Sequence, residues 1–224
     1  MPGVNFQVLQ AMAASASYPS ISYIGNNSTA TNSTSHTFSG QSIGATGNNR
    51  YIAVCISGYQ SSVGALSSAT IGGVSATIAV QANGTNTVSA IIIAAVSTGT
   101  TGDIVLTWAN STQLIGISVY RIVDLNSGTA NTTGTDTALS AGAASLTLNN
   151  NANAVMLAAT CSIDGSAWST WSSGLTEDSD QYVSSSNAVA SASGFFASAN
   201  TPYTASATAG TGTRGVMVAA TWNN

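Results

Sequence analysis

The sequence predicts an all-β fold, a two-sheet antiparallel sandwich of jelly-roll-like form, and three observations lead there. Short β-rich runs alternate with a period of two. The clearest is residues 113–125, where Ile115, Ile117, Val119, Val123 and Leu125 alternate with Gly116, Ser118, Tyr120 and Asp124. Clusters of Gly, Ser, Thr and Asn separate the runs at short intervals, as turns do. No stretch of twelve or more residues keeps a 3.6-residue period, so helices should be few.

Taken in order, residues 1–20 mix Val4, Phe6, Val8, Leu9 and Met12 with small residues. They suit either an N-terminal arm packed on a neighbour or a first strand of the domain's own sheet. Residues 21–224 then form the sandwich domain. Residues 21–24 read as a brief strand and 25–35 as a polar loop. Strands follow at 37–43 and at 50–57, where Ile52, Val54 and Ile56 face one side and Tyr51, Ala53 and Cys55 the other. Within 69–80, Gly72-Gly73 marks a hairpin turn. Strands at 88–96, 103–108 and 114–125 complete a first series.

After the Ser/Gly/Thr/Asn tract at 126–136, a similar order returns at an offset of about 100 residues, dividing the domain into sub-halves 35–125 and 137–224. An internal duplication and the even rhythm of a large sandwich both account for this echo. Superposing Cys55 on Cys161 sets the two on opposite strand faces.

Charge is the oddest feature. The chain has 224 residues, three Arg, no Lys and seven acidic residues, so 4% are charged, against about 25% in an ordinary soluble domain. Its surface must be Ser, Thr, Asn, Gly and Ala, which sheds water cheaply against another protein. A homo-oligomer or larger assembly is expected. With so little charge to block edge pairing, strand edges should be short, covered by loops or paired with another copy. A net charge of −4 without a basic patch argues against nucleic acid. Apolar runs fall far short of the ~20 residues of a membrane span, and no basic region precedes the apolar part of the N-terminus, as a secretory signal would need.

Few groups could do chemistry. His36 is the only histidine and sits in a Thr/Ser stretch, no nucleophile elbow accompanies it, and no catalytic set or cofactor is expected. Glu177, Asp178 and Asp180 form the one acidic cluster, a weak calcium candidate lacking the Asp-x-Asp-x-Asp-Gly loop pattern. Trp168 and Trp171, on a polar turn, could stack on a sugar face as ligand contacts, or anchor a loop to the core. Cys55 and Cys161 lie in apolar runs and read as free buried thiols. Arg50, Arg121 and Arg214 each call for a carboxylate or carbonyl partner, with Asp124 a candidate for one.

The order Gly72-Gly73-Val-Ser-Ala-Thr, then SAIIIAAVSTGTTGDIVLTWANS, then GISVYRIVDL, resembles small all-β virion proteins of tailed bacteriophages over residues 50–125. It is a pattern of strands and turns that transfers no site residue. The resemblance implies a non-enzymatic virion structural protein, assembled in the host cytoplasm, that binds other virion proteins. Its partner would be the major capsid protein, as a decoration or cement protein, or tail components. The alternative is a carbohydrate- or receptor-binding module of a tail or head fibre, using Trp168 and Trp171 on a glycan.

Overall fold

The computed structural model describes residues 17–62, 64–137, 142–163, 167–185, 187–209 and 214–224. They form seventeen strands and no helix. The first nine are β1 (Ser20–Thr29), β2 (Ser33–Ser42), β3 (Tyr51–Tyr59), β4 (Leu66–Ile71), β5 (Val74–Ser75), β6 (Thr77–Asn83), β7 (Thr87–Ala94), β8 (Thr101–Thr112) and β9 (Leu114–Val123). The rest are β10 (Thr132–Asp136), β11 (Ala143–Asn150), β12 (Ala154–Ile163), β13 (Trp168–Trp171), β14 (Thr176–Ser184), β15 (Asn187–Phe196), β16 (Asn200–Ala209) and β17 (Arg214–Trp222). The arm expected at 1–20 lies outside the described residues as far as residue 16.

The strands make four antiparallel sheets. An inner sheet β1-β9-β3-β7-β6 faces an outer sheet β2-β8-β4-β5, and a second inner sheet β10-β17-β12-β15-β14 faces a second outer sheet β11-β16-β13. The antiparallel sandwich predicted from alternation is therefore present, but doubled. Three cores separate the four layers. Ile52, Val54, Ile92, Ile104, Leu106 and Trp108 fill the first sandwich. Met156, Ala190, Trp168, Tyr203, Ala205 and Met217 fill the second. Between the two inner sheets runs a central seam of Ala53, Cys55, Ile91, Tyr120, Val155, Leu157, Cys161 and Val218.

The seam corrects the reading of residues 113–125. The face carrying Gly116, Ser118 and Tyr120 is not an outer surface: Ser118 is 4% exposed and Tyr120 is fully buried. The second sandwich covers it, so β3, β7, β9, β12 and β17 are buried on both faces along most of their length, and β15 along its first half. Gly116 shows why a small residue stands there. A Cβ on it would lie 2.5 Å from Val189 Cγ2 across the seam, closer than carbon atoms can pack.

Both cysteines also face the seam, which overturns the expectation that they lie on opposite faces. Cys55 Sγ approaches the Ala158 carbonyl at 3.8 Å and Cys161 Sγ the Gly58 carbonyl at 3.6 Å. Each thiol thus meets the strand of the other three residues from its counterpart, an offset of about 10 Å along a strand. Both cysteines are free, and a disulfide would need the backbones to move. At Gly72-Gly73 the expected turn is present: Ile71 pairs with Val74, and the glycines have φ of +57° and +79°. A two-residue hairpin with both central residues left-handed calls for glycine there.

Candidate functional site

The acidic cluster lies on β14, an edge strand of the second inner sheet. A β-bulge between Glu177 and Ser179 inserts Asp178 as an extra residue. The inserted side chain turns into the seam, where the Tyr120 hydroxyl donates to Asp178 Oδ2 at 3.1 Å and pairs with the Ser191 hydroxyl at 2.8 Å. Burial pushes the Asp178 carboxyl above its usual range, against hydrogen bonds from Ser193 and Tyr120. Glu177 turns outward and accepts the Trp171 indole N–H at 2.9 Å.

Asp180 accepts a hydrogen bond from the Trp168 backbone. Burial, then the neighbouring Glu177, push its carboxyl up to about 6. The three carboxylates are thus committed to three different partners. Among the described residues no three His, Cys, Asp or Glu side chains gather as a metal site. The calcium candidate Glu177, Asp178 and Asp180 is corrected accordingly, because the bulge turns its middle member away from the others.

Trp168 and Trp171 also part company. Trp168 is 2% exposed and belongs to the core of the second sandwich. It cannot present a face to a ligand, which corrects its candidacy as a sugar contact. Trp171 packs partly buried against the same core while its N–H holds Glu177. Trp168 thus takes the anchoring role, paired with Ala209 of β16, while Thr170 is exposed.

The arginines are structural. Arg50 is 3% exposed and donates to four backbone carbonyls: Val96 at 2.6 Å, Gly44 at 3.0 Å, Gly99 at 2.9 Å and Thr98 at 2.7 Å. Arg121 donates to the carbonyls of Ala45 at 2.7 Å and Thr46 at 3.3 Å. Carbonyls, and not Asp124, are the partners of these two. His36 is buried, hydrogen-bonded to Thr112 Oγ1 and the Ser33 carbonyl, and burial lowers its pKa.

What sequence reasoning missed is the polar content of the seam. Asn26 donates to Ser179 across it at 2.9 Å, and Ser57 and Ser89 share a hydrogen bond at 2.7 Å within it. The seam opens at one end into a cleft of about 540 Å³ bordered by Asn32, Tyr59, Gln113, Leu114, Asn187 and Arg214. A groove of about 330 Å³ elsewhere is lined by Tyr18, Pro19, Ser20, Ile21 and Phe195, with Tyr18 51% and Phe195 48% exposed.

The outer sheets and their edges complete the surface. Ser35, Thr37, Ser68 and Asp103 are exposed on the first outer sheet; Ser145, Thr147, Thr204 and Thr208 are exposed on the second. Asp103 already accepts the Gly40 N–H at 2.8 Å. Edge strands β1, β2, β6, β11, β13 and β14 each carry a register shift. Bulges twist an edge away from continuous pairing, so these edges are defended by shape where charge is absent.

No family model matches the chain, and no curated protein matches it. Residue roles therefore rest on geometry alone.

Proposed function

We propose that the chain is a non-enzymatic structural protein of a tailed-bacteriophage virion, a capsid decoration or cement protein that binds other virion proteins through uncharged sheet surface. The resemblance of residues 50–125 to small all-β virion proteins supports this reading. The observation that carries it is the character of the two outer sheets, whose exposed side chains are mostly hydroxyls and amides, with a few small apolar ones such as Val74 and Ala143, and with Asp103 already bonded to Gly40. Such a surface gives little charge repulsion between copies and costs little to desolvate. Because six of the eight edge strands are bulged, β5 and β10 being the regular ones, docking falls on sheet faces more than on strand addition.

A stable attachment would bury on the order of 1,200 Å² or more. The test is the stoichiometry of this chain in purified particles by quantitative mass spectrometry. Hundreds of copies per particle fit a shell component, six to eighteen move it to the tail, and absence from the particle sinks the proposal. The glycan-binding alternative loses Trp168 to the core, and Trp171 is left partly buried with its N–H held by Glu177.

A further inference from the structure

We infer that the chain is a fused dimer: two sandwich units descended from one, joined across the seam as two subunits join across a two-fold interface. This does not rest on the virion reading. Replacing β1, β9, β3, β7 and β6 by β10, β17, β12, β15 and β14 reproduces the second inner sheet in order. Replacing β2, β8 and β4 by β11, β16 and β13 reproduces the second outer sheet. All eight replacements keep chain order.

Strand order alone could recur by chance in sandwiches; matching irregularities are harder to obtain that way. On β6, Ile78 pairs with Ile92 and Val80 with Ile91, leaving Ala79 bulged; on β14, Glu177 pairs with Ala192 and Ser179 with Ser191, leaving Asp178 bulged. On β4, Leu66 pairs with Trp108 and Ser68 with Thr107; on β13, Trp168 pairs with Ala209 and Thr170 with Thr208. Bulges are kept within families because they re-aim side chains.

The same side-chain bond also spans both sandwiches. Gln81 accepts the Leu66 N–H at 2.9 Å, and its counterpart Asp180 accepts a hydrogen bond from the backbone of Trp168. A left-handed Asn precedes each central strand, Asn49 (φ 42°) before β3 and Asn153 (φ 55°) before β12.

Much of the seam has the reciprocity of an isologous interface, although β17 packs on β7 more closely than β9 packs on β15. β1 lies against β14 as β10 lies against β6; β9 meets β14 as β17 meets β6; β3 meets β15 as β12 meets β7. Its mixture of apolar side chains with the Asn26–Ser179, Tyr120–Asp178 and Gln181–Ile117 hydrogen bonds is that of a subunit interface.

One detail makes the common origin testable. At equivalent places each sandwich buries one tryptophan, but opposite strands supply it: Leu66 beside Trp108 in the first, Trp168 beside Ala209 in the second. Trp168→Leu should lower the urea midpoint of the full chain, and adding Ala209→Trp should restore at least half of that loss, since it rebuilds the first pair in the second sandwich. If Ala209→Trp deepens the loss in the double variant, the sites are not equivalent and the inference falls.

A second measurement addresses the joint. A protease site placed within residues 126–131 of the full chain is cut after folding. The two pieces should stay together as a 1:1 complex by native mass spectrometry, and re-form it when separated under denaturant and remixed. Pieces that fail to regain β structure on remixing would overturn the two-subunit description.

Discussion

The first sandwich packs isoleucine, valine and leucine between its sheets, whereas the second packs alanine. Ile104 and Leu106 on β8 stand where β16 has Ala205 and Ala207. Alanine buries less apolar area, and burial stabilises by roughly 25 cal/mol per Å², so the second sandwich draws its cohesion from fewer, larger side chains. Trp168, Tyr203, Met156 and Met217 provide the volume, and Phe196 closes on Tyr203 edge to face at 4.9 Å. One strand plan therefore accommodates two core chemistries, provided each small residue faces a large one.

The comparison is sharpest at the tryptophans. Trp168→Ala should cost about 3–5 kcal/mol, and Trp108→Ala a similar amount, measured by urea unfolding of each variant. A much smaller loss at Trp168 would mean that the alanine-rich core is loosely filled, and the contrast drawn above would fail.

Arg50 has no parallel in the second sandwich, where Ala154 occupies the corresponding start of the central strand. Arg50→Met leaves the Val96, Gly44, Gly99 and Thr98 carbonyls without their donor. A loss of about 2–4 kcal/mol is expected, with the protection of the amides around residues 96–99 falling first in hydrogen exchange. Tyr120→Phe probes the seam between the two regions. It removes the bonds to Asp178 and Ser191 and should cost about 1–3 kcal/mol.

The two sandwiches should also answer pH in opposite senses. Asp180 in the second has a folded pKa raised to about 6. Its folded form therefore holds a proton that the unfolded chain has released, and its contribution is lost as pH rises from about 4 to about 6. His36 in the first is lowered, so its contribution is present above the unfolded value of 6.5 and is lost as pH falls below it. Asp180→Asn should lessen the loss on raising pH, leaving the part that the raised Asp178 carboxyl contributes, and His36→Gln should lessen the loss on lowering it, in stability profiles between pH 4 and 7. The smallest effect is expected on the outer sheets. Thr147→Lys with Thr204→Lys should change stability by less than about 0.5 kcal/mol each, yet reduce occupancy on particles if that face docks.

Much of the fold was legible because alternation reports one buried face directly. Ile52, Val54 and Ile56, which alternation sets on one face, all reach the first core, and Gly72-Gly73 makes the turn that its glycines predict. The seam was not legible, for a physical reason: residues that allow two sheets to approach, such as Gly116, Ser118 and Ala159, are also those that tolerate water. Tyr120 was the available signal, a large side chain on a face otherwise small. At the candidate site, the separation of Asp178 from Glu177 and Asp180 depends on a bulge, and pairing register is set by the partner strand, which local sequence does not reveal. Of the two roles open to Trp168, ligand contact and core anchor, it takes the second, and local sequence could not decide between them, since its neighbours in sequence are not its neighbours in space.

The covalent link at residues 126–131 changes what dilution can do. A pair of separate chains would come apart as their concentration fell, and its endurance would vary with how much protein was present. Tethered, the partners are never more than a loop's reach from each other. The molecule therefore keeps its two sandwiches paired even when it is scarce.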